Sequence, residues 1–354
     1  MSLWLALIAG AGMIFFLAKS RWNYTRLPEL QRSEKEGRPD VSIVIPARNE
    51  ESNIQRVVRT LSRSRVYVVD DESTDQTAIR ARRAGATAIP VPSLPPKSVG
   101  KPHACWIGAQ STTSRWLLFV DADTWYEPGF VDSLIDYATS ESLDMASVFL
   151  RQECVTAVEK MLLPYSLAIY FCGVSAAAAV SPARREALAN GQCLLFRREA
   201  YKYVGGHVAV MGSVIDDMDL AHIAKRHGMK VRVLRAEKLG SVRVNTGWRS
   251  IKHGFRRKLF RVLLANPWSC AQVILASSLL VSYLPILVYL GIQAQWMALS
   301  LFAALPIVLL RPWYGTWFQA LAVPAAIYGL QYVALRAMVA TVFKRPVEWK
   351  GRRF

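Results

Sequence analysis

A short apolar run that ends on two carboxylates constrains this chain more than any other feature. Trp116 to Val120 are five consecutive apolar residues, which is typical of a buried β-strand. Asp121 and Asp123 follow, separated by one small residue. At the carboxyl end of a strand such a pair can bind Mg²⁺ or Mn²⁺ together with a substrate's phosphates, because these cations prefer oxygen ligands. A lone Asp-x-Asp is also typical of a solvated turn, so the rest of the sequence must decide between the two interpretations.

Strand and helix patterns alternate on both sides of this run. Apolar or β-branched runs predict strands at 41–45, 66–69, 88–91, 116–120, 192–196 and 231–234. Between them, apolar residues recur at three- and four-residue spacing, which predicts helices. This alternation predicts an α/β domain built on a doubly wound, mostly parallel sheet. In such sheets, ligands bind beyond the carboxyl ends of the strands.

The apolar ends of the chain predict a membrane protein. Hydrophobic residues make up 52% of the 354 residues, and the excess lies at the two ends. Residues 3–18 are uncharged, and Lys19, Arg21 and Arg26 follow. Neither a basic n-region nor a small-residue cleavage site flanks this segment. We therefore expect an anchor rather than a cleaved signal peptide, with its basic downstream side in the cytoplasm.

A basic amphipathic helix is predicted over 246–265, where apolar residues such as Trp248 alternate with cations. In a chain with a net charge of +18, such a helix could bind an anionic membrane or a nucleic acid. Three apolar segments follow it, which favours the membrane and argues against nucleic acid as a partner. These segments are 269–292, 296–310 and 314–335.

The C-terminal segments pose a question of topology. If all three crossed the bilayer, the basic tail would lie outside the cytoplasm, against the positive-inside tendency. The 296–310 segment has only 15 residues, against about 20 needed to span, so we expect a half-span that returns the tail to the cytoplasmic face. The predicted organisation is an anchor (1–26), a linker (27–40), an α/β domain (41–245), an interfacial helix (246–265), a transmembrane region (266–343) and a basic tail (344–354).

Several polar motifs share a position just after a predicted strand or at the start of a predicted helix. In chain order they are Ile45–Glu51, Val69–Asp75, Gly100–Ala104, Asp121–Asp123 and Asp216-Asp217. Each motif alone is ordinary. In this order, over roughly residues 40–260, they resemble the motifs of family-2 glycosyltransferases of the GT-A fold.

The resemblance implies a role for individual residues. The nucleotide-sugar would be bound by Pro46, Ala47, Glu50, Asp71, Lys101 and Asp121. A divalent cation, Mg²⁺ or Mn²⁺, would be held by Asp121 and Asp123. Asp217 would be the catalytic base, and the acceptor would lie near Asp216, Gly205, Gly206 and His207. Two residues depart from the family pattern: Asp216 stands where the family usually has Glu, and Glu72 replaces a small residue.

The chemistry agrees with these roles on general grounds. Displacing a nucleoside diphosphate from a sugar's anomeric carbon builds negative charge on the leaving phosphate, which a cation and Lys101 would stabilise. An acceptor hydroxyl would lose its proton to Asp217, and in-line attack would invert the anomeric centre. Asp217 could instead be a helix N-terminal carboxylate favoured by the macrodipole. A packing role for His207 also stays open.

A narrower resemblance rests on four sequence strings, IPARNEE at 45–51, GKPHACWIG at 100–108, FVDADT at 119–124 and VEWKGR at 347–352. With one leading and several trailing apolar segments, the chain is similar to the bacterial diaponeurosporenoate (carotenoid acid) glycosyltransferases. The similarity implies transfer of one sugar, glucose from UDP-glucose, to a membrane-embedded carotenoid carboxylate. It also implies a multi-pass protein of the bacterial inner membrane whose catalytic domain faces the cytoplasm.

Three other classes of protein share parts of this pattern. A processive polysaccharide synthase would carry a Gln-x-x-Arg-Trp element after Asp217, and the sequence has none. A non-enzymatic membrane scaffold would not need several carboxylates in one cleft, where they repel one another without a cation. A dinucleotide oxidoreductase would carry GxGxxG after the first strand, and this motif is missing there.

Overall fold

A seven-stranded sheet forms the centre of the chain in the computed structural model. The structure describes residues 3–34, 37, 39–96, 98–181, 186–244, 246–264, 266–343, 348–349 and 352–353. The strands are β1 (Val41–Ala47), β2 (Arg65–Asp70), β3 (Thr87–Pro90), β4 (Trp116–Val120), β5 (Thr124–Tyr126), β6 (Met145–Phe149), β7 (Arg151–Gln152), β8 (Cys193–Arg197), β9 (Val231–Arg235), β10 (Gly240–Val242), β11 (Glu348–Trp349) and β12 (Arg352–Arg353).

The strand order confirms the prediction of a doubly wound, mostly parallel sheet. The order is β3-β2-β1-β4-β8-β6-β9, and β5, β10 and β7 form a smaller sheet. The pairs β1–β2, β1–β4, β2–β3 and β6–β9 are parallel. β8 is the exception, because it runs antiparallel to both of its neighbours, β4 and β6. Its amino end therefore lies at the edge where the parallel strands end.

Helices cover both faces of the sheet. They are α2 (Ile54–Thr60), α3 (Thr77–Arg83), α4 (Gly100–Gln110), α5 (Phe130–Ser140), α6 (Ala157–Gly173), α7 (Ala176–Val180), α8 (Arg198–Tyr203) and α9 (Asp216–Arg226). Successive residues of a strand face opposite sides. Accordingly, Ile43 and Ile45 pack in one apolar layer with α2 and α5, while Val44 packs in the other with α4 and α9.

Two boundaries differ from the sequence prediction because of proline. β1 continues through Pro46 to Ala47, although a strand end was expected at Ile45. Pro46 pairs with Val69 of β2, whereas the β4 register stops at Val44, so the missing N–H of Pro46 removes no bond to β4. The apolar spacing predicts a helix over about 104–112, whereas α4 begins at Gly100, since a proline at position 102 is tolerated within the first turn of a helix.

Apolar helices stand at both ends of the chain. The apolar helices are α1 (Leu3–Thr25), α11 (Pro267–Val281), α12 (Tyr283–Ile292), α13 (Trp296–Leu310), α14 (Trp317–Ala320) and α15 (Val323–Val342). α10 (Gly247–Leu264), which precedes α11, is basic and amphipathic. By length and composition, four helical stretches are able to cross a membrane: Leu3–Thr25, Pro267–Ile292, Trp296–Trp313 and Val323–Ala340.

The length argument for a half-span at 296–310 does not hold. A 3₁₀ turn, Arg311–Trp313, extends α13 to an 18-residue helical stretch, about 27 Å long at 1.5 Å per residue. The last apolar segment also begins later than expected, at Val323, because Pro324 fits the first turn of a helix but not its interior. The number of true crossings and the side of the tail stay predictions, as do the domain boundaries.

α6 joins the sheet domain to the apolar helices. Near its carboxyl end it packs against α1, where the buried Ser20 hydroxyl donates to the Ala168 carbonyl at 2.6 Å. The Asn23 amide donates to the Phe171 carbonyl at 2.9 Å. Because both polar groups are buried, these bonds fix how α1 sits on α6.

At the amino end of α6, Glu159 ties three segments together. Its carboxylate closes a capping box with Thr156 and accepts the Gly247 backbone N–H, at the start of α10, at 2.8 Å. It also accepts the Val155 N–H at 2.8 Å and lies 3.4 Å from the Arg243 guanidinium. Burial alone would raise the pKa of Glu159, but these donors outweigh it and lower the pKa to about 2.

Candidate active site

The strands that carry the predicted site residues end at one edge of the sheet. In the parallel register, Pro46 lies beside Val69 and Ala47 beside Asp70. β4 reaches the same edge, because Val44 pairs with Phe119. Asp71 and Asp121, the residues that follow β2 and β4, therefore lie at the same edge of the sheet, on either side of β1.

The loops after β1 and β2 are tied into one structure. The Asn49 side chain accepts the Thr74 N–H at 2.9 Å, and the Glu50 N–H donates to the Thr77 hydroxyl at 2.8 Å. Asn49 adopts φ of 51°, a left-handed conformation that Asn tolerates better than most residues. These hydrogen bonds hold Glu50 near Pro46 and Ala47 at the end of β1, where a nucleoside pocket is predicted.

Glu72, a departure from the family pattern, also has a left-handed backbone. Its φ is 53°, a conformation that is uncommon for residues other than glycine. The side chain is half exposed, and its carboxylate lies 3.5 Å from the Arg48 guanidinium. Arg48 also donates to the Asp71 carbonyl at 2.6 Å. Arg48 therefore contacts both the Glu72 carboxylate and the Asp71 carbonyl.

Lys101 reaches from the first turn of α4 to the carboxylate after β4. Its ammonium donates to Asp121 Oδ1 at 2.6 Å and to the Gly191 carbonyl at 3.1 Å. Burial alone would lower the pKa of Lys101, but the charges of Asp121 and Asp216 raise it on balance. Lys101 is therefore a fixed positive charge, with about a quarter of its side chain exposed to the cleft.

Gly191 links this cation to the predicted base. It lies just before β8, whose antiparallel direction brings its amino end beside Asp121, so that the Asp121 N–H donates to the Gln192 carbonyl at 3.1 Å. The Gly191 N–H donates to Asp217 Oδ2 at 2.5 Å. A Cβ at position 191 would lie 3.0 Å from Asp217 Oδ2 and 3.1 Å from Lys101 Nζ. No sequence motif points to Gly191, although an Asn-Gly pair before a predicted strand indicates a turn.

His207 lies beneath the site instead of at its surface. The side chain is buried against Phe119 and Tyr201, with ring centroids 4.6 Å and 5.6 Å away. Burial, and second the charge of Lys101, lower the pKa of His207 to about 3, so the imidazole is neutral. The packing role that the sequence left open for His207 agrees with this position.

His207 is hydrogen-bonded to Tyr201 and lies near Asp216 of the acidic pair, without a hydrogen bond to it. The His207 backbone N–H donates to the Tyr201 hydroxyl at 3.1 Å, and that hydroxyl lies 2.9 Å from His207 Nδ1. If Tyr201 donates to Nδ1, the imidazole proton is on Nε2, which lies 3.7 Å from Asp216 Oδ2. Gly206 makes room for this arrangement, because its φ is +53° and a Cβ there would lie 2.5 Å from the Tyr201 ring.

Asp121 and Asp123 are the candidate metal ligands. Asp123 is half-buried beside Asp121, and its carbonyl accepts the Arg243 N–H at 3.1 Å. Across the described residues, no group of three or more His, Cys, Asp or Glu side chains is placed to hold a metal ion. A pair of carboxylates fits a Mg²⁺ or Mn²⁺ ion whose other ligands come from a diphosphate and water. It does not fit a structural zinc site, which needs about four protein ligands.

The predicted residues thus fall into three groups. Lys101, Asp121 and Asp217 meet around Gly191, and Asp123 lies beside Asp121. The nucleoside-pocket residues Pro46, Ala47, Glu50 and Asp71 line the neighbouring strand ends. Asp216, Gly206 and His207 are buried next to one another, whereas Gly205 is exposed at the start of the 3₁₀ helix Gly206–Val210.

Comparison with known proteins agrees with this architecture. The mannosyltransferase PcManGT from Pyrobaculum calidifontis, solved in complex with GDP-Man and Mn²⁺, superposes with a TM-score of 0.60. The alignment covers 96% of this chain and 99% of that chain at 16% sequence identity. At this identity the likeness shows the fold alone, which is GT-A.

Curated relatives come from staphylococci. The 4,4'-diaponeurosporenoate glycosyltransferase of Staphylococcus haemolyticus is 26% identical over 238 residues, which cover 65% of this chain and 63% of the relative. The protein of the same name from Staphylococcus aureus is 28% identical over 227 residues, covering 62% and 60%. The chain therefore matches less than two thirds of the length of these relatives. A family model described as glycosyltransferase like family 2 matches residues 39–259, well over half of the chain, which therefore belongs to that family.

Proposed function

We propose that this chain is an inverting glycosyltransferase that moves one sugar from a UDP-sugar to a lipid-soluble acceptor at the cytoplasmic face of a bacterial membrane. The acceptor is a carotenoid carboxylate, by similarity to the staphylococcal relatives named for diaponeurosporenoate. The sugar is glucose, as the resemblance of the sequence motifs implies. The four apolar helical stretches supply the membrane association, and the basic helix α10 contacts anionic headgroups.

One observation carries the proposal: a cation and a carboxylate flank the same glycine. Lys101 donates to the Gly191 carbonyl and Asp217 accepts the Gly191 N–H, so the two side chains stand on either side of one peptide segment. Lys101 faces Asp121, on the side of the donor's diphosphate. Asp217 comes from α9 on the other side. A sugar bound against this pair would meet a positive charge at its leaving group and a proton acceptor at its nucleophile.

The donor side stabilises the leaving group. The bond between the anomeric carbon and the diphosphate oxygen breaks, and UDP leaves with the electron pair. The ammonium of Lys101, which is partly exposed to the cleft, is held in place by Asp121 before the reaction, so it stabilises the developing charge with little reorganisation. A Mg²⁺ or Mn²⁺ ion held by Asp121 and Asp123 would neutralise the diphosphate. The nucleoside lies against Ala47, Glu50 and Asp71.

The acceptor side supplies the nucleophile. An oxygen of the acceptor forms the new bond to the anomeric carbon from the face opposite the departing diphosphate, which inverts the centre. If this oxygen belongs to a hydroxyl, Asp217 takes its proton. If it belongs to a carboxylate, Asp217 orients it instead. The short bond from the Gly191 N–H fixes Oδ2 of Asp217, and the Met218 N–H holds Oδ1 at 2.9 Å.

The test is transfer by the purified full-length chain in detergent. UDP-glucose labelled in the sugar is mixed with Mn²⁺ and a polyene carboxylic acid, and the products are analysed by mass spectrometry. We expect one added hexose per acceptor, with the β-configuration by NMR because the donor is α-linked. Products with several hexoses would indicate a processive synthase, and no transfer to any lipid would overturn the proposal. Lipids from cells with and without the chain then identify the natural acceptor.

A further inference from the structure

A groove beside Asp217 leads toward the apolar helices. It is a narrow groove, partly open to solvent, with a cavity volume of about 50 Å³. Its walls are the end of α6, one face of α9 and the start of α11. The side chains that matter for the argument are Tyr170, Val174, Met218, His222, Ser269 and Val273.

One end of the groove lies next to the proposed base. Met218 lines the groove and directly follows Asp217, to which its N–H is bonded. Tyr170 lines it from α6. Burial raises the pKa of the Tyr170 hydroxyl, and the charge of Asp217 raises it further. His222, one helical turn beyond Met218, adds a second polar group to the same wall.

The other end lies against a helix that is long and apolar enough to cross a membrane. Ser269 and Val273 belong to α11, the first part of the Pro267–Ile292 stretch. α11 touches α6 closely there, since a Cβ on Gly173 would lie 2.5 Å from the Ser269 carbonyl. On its outer side α11 exposes large apolar side chains, Trp268 at 73% and Ile274 at 56%. Exposed apolar surface of this kind is expected where a helix contacts lipid.

We propose that this groove binds the apolar chain of the lipid acceptor and delivers its reacting oxygen to Asp217, an inference that rests on the proposed function. Val174, Met218 and Val273 would contact the chain. Tyr170 and His222 would contact the polar end, a carboxyl or hydroxyl group. The ligand class is a single narrow apolar chain with one terminal oxygen nucleophile, which enters from the membrane side of α11.

Two tryptophan variants fill the groove from opposite walls, and a third is their control. Val273→Trp and Val174→Trp place an indole in the groove. Ile274→Trp adds an indole on the same helix, one residue away, where the side chain is exposed. All three are assayed as full-length protein in detergent with UDP-glucose. The acceptors are all-trans-retinoic acid, a long polyene carboxylic acid, and sorbic acid, whose chain is too short to fill the groove.

We expect both groove variants to raise KM for retinoic acid by roughly tenfold or more, the effect of shape changes in an apolar pocket. Transfer to sorbic acid and binding of UDP, by calorimetry, should match those of Ile274→Trp. Photolysis of a diazirine-labelled stearic acid should label peptides containing Val174 or Val273, and retinoic acid should compete. A wild-type KM in both groove variants, or labelling confined to the outer face of α11, would overturn the proposal that the groove binds the acceptor. Absence of transfer by the wild-type chain to either acid, with groove labelling intact, would overturn the proposed function instead.

Discussion

Replacing Gly191 by alanine tests the geometry of the site at one atom. The new Cβ would lie 3.0 Å from Asp217 Oδ2 and 3.1 Å from Lys101 Nζ, and ordinary contacts begin at 3.4 Å. Asp217 and Lys101 must therefore each move away by about 0.3–0.4 Å, and the 2.5 Å bond from the Gly191 N–H to Asp217 must lengthen. A misplacement of about 1 Å can cost about 100-fold in rate. We accordingly expect Gly191→Ala to lower kcat by about tenfold, or about 1.4 kcal/mol in activation free energy.

The same change should not harm the fold. The backbone of Gly191 lies outside the left-handed region, so alanine can adopt it. Alanine also reduces the entropy of the unfolded chain, which stabilises by about 0.4–1 kcal/mol at compatible positions. The assays are kcat and KM for transfer, UDP binding by calorimetry, and thermal unfolding. Gly37→Ala is the matched control, because a Cβ there meets no atom within 4 Å.

A double-mutant cycle with Asp217→Asn identifies the group that moves. If alanine acts by displacing Asp217, its effect should largely disappear in the Asp217→Asn background, because the two changes remove the same interaction. Wild-type turnover in Gly191→Ala would refute the steric argument. Loss of turnover together with a lower Tm would mean that Gly191 serves the fold and not the site.

Three further changes test other parts of the site and fold. Asp217→Asn should lower turnover by orders of magnitude while UDP-sugar binding stays intact; a parallel loss of binding would move Asp217 to the donor pocket. Asp123→Ala should abolish transfer without changing Tm, and chelation should do the same to the wild-type chain; full activity in either case would remove the metal assignment. Glu159, whose pKa of about 2 lies below the ordinary 4.5, contributes stability that is present above pH 4.5 and lost as pH falls toward 2. Glu159→Gln should therefore lower the free energy of unfolding by about 2–3 kcal/mol at pH 7 and flatten its pH dependence in that window, as measured by denaturant titration; an unchanged pH dependence would contradict this role.

The strands with strong apolar runs could be predicted from the sequence, and one without such a run could not. β4 was predicted with its observed ends, because five apolar residues precede a charged one. β6, Met145–Phe149, was missed although all five of its residues are buried. Its central Ala-Ser pair has weak strand propensity, and pairing with β8 and β9 supplies the stabilisation that propensity lacks.

In the candidate site, too, residues with a local sequence signal could be predicted, and those whose role depends on tertiary structure could not. Asp121 and Lys101 could be picked out because charged residues next to apolar runs are conspicuous. Gly191 could not, since its importance lies in the space that it leaves between Lys101 and Asp217. That space exists because β8 runs antiparallel, a tertiary property with no local sequence signal. Similarly, the burial of His207 depends on Tyr201 and Phe119, which lie on other elements.

The bonds from Ser20 and Asn23 to α6 bear on how this protein is made and handled. These two side chains leave the ribosome roughly 150 residues before Ala168 and Phe171, the residues whose carbonyls they reach. Until α6 follows, the last turns of α1 lack these partners, so α1 docks on α6 only after the chain has been made as far as residue 171. A shortened version that starts at residue 27 would expose Phe171 and Leu27, which are almost fully buried in the intact chain. Such a truncation should aggregate, so production of a water-soluble fragment requires redesign of the α6 surface as well as removal of α1 and the C-terminal apolar helices.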